Sequence, residues 1–210
     1  MSKGVLTVVS GFSGAGKGTV MKRLIQKYDD YALSISVTTR KPREGERDGI
    51  EYFFKTKEEV ETMIENDEFL EYARYVDNYY GTPRFYVEEM LAKGKNVILE
   101  IEIQGAMQIK AKNPEAVLIF VTPPSFEELR NRLVGRGTET ADVIESRLRR
   151  ASEEAEGMSS YDYILVNDQV EDCVDRLHQI ILSERAKAQR NEEFINTIRQ
   201  EARIFMKGDK

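Results

Sequence analysis

The chain is poor in the residues that build redox and metal sites, with one cysteine, Cys173, and one histidine, His178, among 210 residues. A single cysteine excludes an intrachain disulfide and any cysteine-based zinc site, and it suits a reducing compartment. His178 falls in the helical-looking stretch Val170–Arg185, where a surface or core-edge position is the plain reading. Long apolar runs are missing too. No stretch approaches the roughly 18–20 apolar residues of a membrane span, and the N-terminus enters a strand without an apolar signal region, so a cytoplasmic protein is expected. Positive charge is in deficit, with 31 Lys and Arg against 37 Asp and Glu and a net charge of −6. Such a body disfavours nucleic acid and anionic membrane as partners, which makes any local cluster of cations informative. Linkers, repeats and low-complexity tracts are also lacking, so the chain reads as one domain with insertions.

What is present is an alternation of strand and helix signals. A hydrophobic share of 40% beside 32% charged residues is ordinary for a folded globular protein. Short aliphatic or β-branched runs at Val5–Ser10, Val97–Ile103, Ala116–Thr122 and Tyr163–Val166 alternate with helical spacing at Lys17–Tyr28, Gly105–Lys112, Ser125–Val134 and Val170–Arg185. This pattern predicts an α/β protein with a mainly parallel sheet covered on both faces. Two capping boxes, Thr56-Lys57-Glu58-Glu59 and Ser125-Phe126-Glu127-Glu128, mark helix starts. The core is expected over 1–32, 87–134 and 157–185. A tyrosine-rich insertion at 33–86 holds two strand-like patches and a short helix, and an arginine-rich segment at 135–156 opens on the hinge-like Gly135-Arg136-Gly137. The tail 186–210 reads as a charged helix that packs back, extends into solvent or pairs with a second subunit.

The most specific local signal follows the first strand. Gly11-Phe12-Ser13-Gly14-Ala15-Gly16-Lys17-Gly18-Thr19 reads as a phosphate-gripping loop. Glycines let successive N–H groups turn toward one anion, the following helix adds its positive end, and Lys17 supplies a mobile charge. The usual motif places Ser or Thr after the lysine to hold Mg²⁺, whereas here Gly18 stands there and the hydroxyl comes one residue later at Thr19. A second cluster, Ser36-Val37-Thr38-Thr39-Arg40-Lys41-Pro42-Arg43, puts three cations in four residues of an acidic chain. Guanidinium forks bind phosphate oxygens in pairs, so Arg40 and Arg43 about Pro42 suit a second phosphate and hence a phosphorylated acceptor.

Taken with Tyr52-Phe53-Phe54, Phe69-Leu70-Glu71, Asn78-Tyr79-Tyr80-Gly81-Thr82, Ile103-Gln104-Gly105 and Gly135-Arg136-Gly137, these segments resemble, in order, the signature of the guanylate kinases. The resemblance runs from about Gly4 to about Arg185. It implies a P-loop three-layer core with an inserted GMP-binding subdomain and a helical lid, transferring phosphate from ATP to GMP with Mg²⁺. By resemblance Arg40, Arg43, Tyr52 and Tyr80 hold the GMP phosphate, Asn167 lies near the adenine, and the lid arginines Arg132, Arg136 and Arg147 meet the ATP phosphates and the transferring group. Guanine offers N1–H and N2–H₂ as adjacent donors and O6 as an acceptor, so a carboxylate with hydroxyls complements it. Glu71 with Ser36 and Thr82 supplies that set, and Glu102 is the family-matched second carboxylate. The family usually carries aspartate at the positions of Glu100 and Glu102, and with Gly18 this points to Mg²⁺ held mainly by phosphates, with Thr19 and Glu100 as the candidate protein ligands.

Phosphoryl transfer needs alignment and charge stabilisation more than acid–base chemistry, so lid arginines suffice without a general base. Arg149 and Arg150 read instead as the solvated face of a helix. Two rivals keep much of the pattern: a guanylate-kinase-like interaction domain without catalysis, and a kinase for a phosphorylated sugar. An intact phosphate loop argues against the first and the guanine-reading set against the second. The expected partners are ATP and GMP, with a homodimer an open question.

Overall fold

The computed structural model describes residues 3–135, 137 and 140–208. In chain order its elements are β1 (Leu6–Gly11), α1 (Lys17–Lys27), β2 (Tyr31–Leu33), β3 (Val37–Thr38), β4 (Phe53–Phe54), α2 (Lys57–Glu65), β5 (Phe69–Tyr75), β6 (Asn78–Pro83) and α3 (Arg84–Ala92). Then follow β7 (Asn96–Glu100), α4 (Ile103–Lys112), β8 (Val117–Thr122), α5 (Phe126–Gly135), α6 (Ala141–Ala155), β9 (Tyr163–Val166), α7 (Val170–Arg185) and α8 (Glu192–Gly208).

Five strands form a wholly parallel sheet in the order β2-β7-β1-β8-β9. Its central strands are buried without alternation, from Val97 to Leu99 and from Val117 to Val121. Successive side chains of a strand point to opposite faces, so an unbroken buried run requires cover on both, which the helices supply. The α1–α7 seam is polar at its rim, where Arg23 pairs with Glu171 and the Tyr28 hydroxyl donates to Asp175 at 2.8 Å. His178 sits at that seam, stacked on Tyr28 at 3.7 Å and hydrogen-bonded to the Tyr31 hydroxyl at 2.7 Å, a core-edge histidine.

A second sheet, ordered β4-β3-β6-β5, pairs β3 parallel to β4 and joins β5 to β6 as an antiparallel hairpin. Its small core is Val37, Val60 and Phe69. Thr56 caps α2 through a reciprocal capping box with Glu59. At α5 Ser125 Oγ accepts from the Glu128 N–H at 3.0 Å, while the Glu128 carboxylate turns to Arg132.

Three expectations are corrected. The run Val97–Ile103 is not one strand: β7 stops at Glu100, Glu102 caps α4 in an extended conformation, and Ile103 is already helical. The parallel sheet gains a fifth strand, β2, because Ser34 N–H bonds Ile98 O and draws the segment after α1 alongside β7. The tyrosine-rich stretch holds four strands rather than two patches, since β3 and β4 have two residues each and are too short to show a period.

The phosphate loop is tied to the core through one ring. Phe12 packs edge-on to Phe120 at 5.0 Å, and Phe120 packs edge-on to Tyr161 at 5.1 Å. Phe120 is fully buried, so Phe120→Ala is expected to cost about 3–5 kcal/mol in urea unfolding and to loosen the loop above it. A cost below about 1 kcal/mol would show that this ring does not anchor the loop.

Candidate active site

The donor side begins where β1 ends. Gly11 has φ 147°, and a Cβ there would stand 2.0 Å from Val121 O, so no other residue fits against β8. Gly16 opens α1 in the left-handed region at φ 86°, with Asn167 Nδ2 only 2.6 Å from where its Cβ would be. The resulting cleft has a volume of about 510 Å³ and is lined by Gly11, Ser13, Lys17, the Glu100–Ile103 segment, Arg147, Arg150 and Glu154. Lys17 Nζ donates to Gly11 O at 2.7 Å and to Phe12 O at 3.2 Å, holding its charge inside the curl of the loop. Arg147 Nη1 donates to Ser13 Oγ at 2.8 Å, which brings α6 onto the loop.

Glu100 stands at the C-terminal end of β7, open to solvent along one wall of the cleft and partly desolvated by that wall. That partial desolvation raises its pKa, and the Lys17 charge opposes the rise. Its Oε2 lies 3.9 Å from where a Cβ on Gly18 would stand, so the glycine leaves room for the carboxylate beside the loop. Thr19 is exposed on the first turn of α1, away from the cleft lining.

The acceptor side is a separate cavity of about 330 Å³, lined by Ser36, Tyr52, Glu71, Tyr80 and Gly105 among others, and sharing Glu100, Ile101 and Glu102 with the donor cleft. Glu71 is 8% exposed and accepts from Thr82 Oγ1 at 2.6 Å. Burial raises its pKa from the ordinary 4.5, while the Thr82 hydroxyl and N–H pull the other way. Gly105 lets α4 close on this group, since a Cβ there would lie 3.1 Å from Glu71 Oε2. Arg40 packs over the Tyr52 ring at 5.2 Å, and Tyr52 meets Tyr80 edge-on at 6.4 Å. Arg43 is exposed on the same loop as Arg40.

Several residues escaped the sequence reading. Glu46 grips the Arg40 fork with both oxygens at 2.9 Å and accepts the Arg43 N–H at 2.7 Å. Those bonds drop the Glu46 pKa to about 2 and raise that of Arg40. The spacing Arg40, Arg43, Glu46 is the one sequence signal that could have found it. Arg150 is a correction. Arg149 pairs with Glu145 on an exposed face as expected, but Arg150 turns into the cleft, 2.9 Å from Glu102, and donates to Glu154 at 2.9 Å. Position 150 lies three residues from Arg147 and so shares its face of α6. Asn167 is 3% exposed and donates to Ala15 O at 2.8 Å, so it buttresses the loop from beneath. Arg132 is held by Glu128 at 2.8 Å on α5 and does not line the cleft. Arg136 lies outside the described residues. Among those described, no group of three or more His, Cys, Asp and Glu could by itself hold a metal ion.

A strand, a glycine loop on a helix N-terminus, a lysine curled inside it and a second cavity against the same wall define the class as a P-loop nucleotide kinase. The guanylate kinase family model matches residues 3–184. Guanylate kinases from Bacillus cereus strain ZK / E33L and Caldanaerobacter subterraneus subsp. tengcongensis are 57% and 50% identical to this chain, over 90% and 95% of it and 92% and 97% of their own lengths. The crystal structure of guanylate kinase from Anaplasma phagocytophilum superposes with a TM-score of 0.69 at 36% identity, covering 90% of each chain. The chain belongs to the guanylate kinase family, and its activity is that of an ATP:GMP phosphotransferase.

The raised pKa of Glu71 ties the acceptor pocket to stability. Its protonated form is favoured in the fold, so the contribution is fully present below about 4.5 and is lost as pH rises through the elevated folded value. Glu71→Gln removes the ionised, desolvated group. Its melting temperature should exceed that of the parent chain at about pH 8, and the gap should close toward about pH 4 in calorimetry. A variant less stable at both pH values would contradict a desolvated carboxylate at this position.

Proposed function

We propose that the chain transfers the γ-phosphoryl of ATP to GMP and dGMP, with residues 33–86 as the GMP-binding insertion, 135–156 as the lid, and both substrates meeting at the end of β7. The observation that carries this reading is the shared wall: Glu100, Ile101 and Glu102 line both cavities. A nucleotide in each would bring its phosphates to the same strand end, and such alignment is most of what phosphoryl transfer requires.

In the acceptor cavity, Glu71 accepts from guanine N1–H and N2–H₂, with Ser36, Thr82 and Glu102 completing the polar contacts. Adenine would turn a lone pair at N1 toward Glu71, and a missing buried hydrogen bond of this kind discriminates by up to about 10⁴-fold. Arg40, Arg43, Tyr52 and Tyr80 take the GMP phosphate, and Glu46 keeps the Arg40 fork oriented before the phosphate arrives. Donor phosphates lie along the 11–19 loop, with Lys17 leaving the loop carbonyls for the β- and γ-oxygens. Arg147 stabilises the transferring group, joined by Arg136 and by Arg132 once released from Glu128.

The Glu100 carboxylate beside Gly18 fits a divalent cation, because a partly desolvated carboxylate regains a full charge partner when one binds. Glu100 would hold Mg²⁺ together with the nucleotide phosphates, whereas Thr19, the other expected ligand, lies outside the cleft lining. When bound, Mg²⁺ supplies charge neutralisation on the β- and γ-phosphoryl oxygens. No described helix is long and apolar enough to cross a membrane. A single cysteine suits a cytoplasmic enzyme, and the net charge of −6 favours nucleotide ligands over nucleic acid or anionic lipid.

A coupled assay with GMP, dGMP, AMP and UMP should show turnover with the first two only, and a preference for AMP or UMP would overturn the assignment of Glu71. Arg147→Ala should lower kcat by about 10²-fold or more while moving KM for GMP less than about threefold. The reverse split would place Arg147 in acceptor binding instead.

A further inference from the structure

Helix α6 touches both cavities. Arg147 donates to Ser13 of the phosphate loop, and one turn on Arg150 stands 2.9 Å from Glu102, on the wall that the cavities share. Residues three apart lie on one face of a helix, so a single surface carries both guanidinium groups. That surface is seated at its C-terminal end. Ala151 is 2% exposed, Glu154 O accepts the Gly157 N–H at 3.1 Å, and a Cβ on Gly157 would lie 3.7 Å from Ile103, the first residue of α4. Arg150 therefore springs from the fixed part of α6, beside the wall. Its neighbour Arg149 shows what a solvated position looks like here, paired with Glu145 while the two side chains are 74% and 77% exposed.

We propose that Arg150 is a positioning residue that holds the Glu102 carboxylate at the acceptor wall and thereby makes GMP and ATP binding cooperative through α6. This rests on the reading of Glu102 as a GMP contact and of Arg147 as a contact of the ATP phosphates. The Arg150 fork is aimed from behind, because its Nε donates to Glu154 Oε1 at 2.9 Å and the Glu154 side chain is only 20% exposed. A guanidinium holds its donors in fixed relative directions, so fastening Nε sets where Nη2 points. Nη2 meets Glu102 Oε2 and leaves Oε1 for the acceptor nucleotide. The Glu102 side chain is 76% exposed, and an exposed ion pair adds little to stability. What the pair supplies is order. A glutamate loses rotamer freedom when it is fixed, and once GMP or a seated α6 has fixed Glu102, the second event meets a carboxylate already in place. ATP seats α6 through Arg147 and GMP aligns Glu102, so each tightens the other by the same factor.

A direct contact between Arg150 and an ATP phosphate is the rival role, since Arg150 also lines the donor cleft. Charge disfavours it. Glu102 and Glu154 set two carboxylates about one guanidinium, which leaves the group a local excess of negative charge and a poor seat for a phosphate.

Titration calorimetry with Mg²⁺, GMP and a β,γ-imido analogue of ATP, each ligand alone and then with the other saturating, measures the coupling. The parent chain should bind GMP about five- to tenfold more tightly when the analogue is present, the low end of ordinary coupling between sites. Arg150→Gln should bring that ratio below about twofold while moving the melting temperature by less than about 2 °C. Glu154→Gln should lower the ratio in the same direction, and Arg150→Lys, which keeps the charge but not the fork, should recover part of it. In a Glu102→Gln background, Arg150→Gln should lower the ratio no further. A parent ratio near one, an Arg150→Gln chain that keeps the parent ratio, or an effect of Arg150→Gln that persists without the Glu102 charge would each overturn the proposal. So would an analogue affinity reduced more than about tenfold by Arg150→Gln with GMP absent, which is the mark of a direct phosphate contact. The ratio is measured with whichever monophosphate the chain binds, so a wrong base assignment would show as a preference for AMP and leave the test of Arg150 intact.

Discussion

The site depends on β1 being hydrogen-bonded in parallel between β7 and β8. That register sets Val9 opposite Glu100 and Gly11 opposite Val121, so strand ends far apart in sequence finish at one edge of the sheet. Parallel strands deliver their following loops to the same side, and the anion-binding turn at Gly11–Lys17 therefore opens beside the carboxylates of 100–102. The close approach of Gly11 to Val121 O is the steric cost of this arrangement. It is met by the one residue that lacks a Cβ.

From that edge the two halves differ in how they hold charge. The donor half keeps a cation among backbone carbonyls, with Lys17 bonded to Gly11 O and Phe12 O. The acceptor half buries an anion, Glu71, whose carboxylate meets Thr82 Oγ1 and is pressed by α4 at Gly105. Desolvating that carboxylate disfavours its charged form, a cost that the guanine donors would offset in the proposed function. Around it the bidentate Arg40–Glu46 fork is mostly covered, its two side chains 16% and 18% exposed. In the proposed function that fork holds the guanidinium in the plane a phosphate needs.

Helix α6 joins the halves. Arg147 reaches the loop at Ser13, and Arg150 reaches Glu102 on the shared wall. Neither contact was visible locally, because a helix of alternating charge looks the same whether its cations meet solvent or a cleft thirty or more residues away. The same reason hid the buttressing role of Asn167, which bonds Ala15 across the fold, whereas Glu46 meets partners only three and six residues before it. The phosphate loop and the α2 capping box were legible since each is a short-range demand on backbone conformation. The two-residue strands β3 and β4 were not, as pairing partners alone give them order.

The sequence by itself determined the parts governed by local physics: a glycine loop with its lysine between a strand and a helix, apolar runs long enough to require burial on both faces, and a charged C-terminal helix. It also carried the ordered residues by which the family is recognised. Only the tertiary structure decided which charges face each other. Strand register brought Glu100 beside Lys17, the packing of α4 on β5 buried Glu71, and the folding of α6 over the cleft set Arg150 against Glu102. Those are long-range electrostatic and steric relations, and they depend on distances that residue order does not contain.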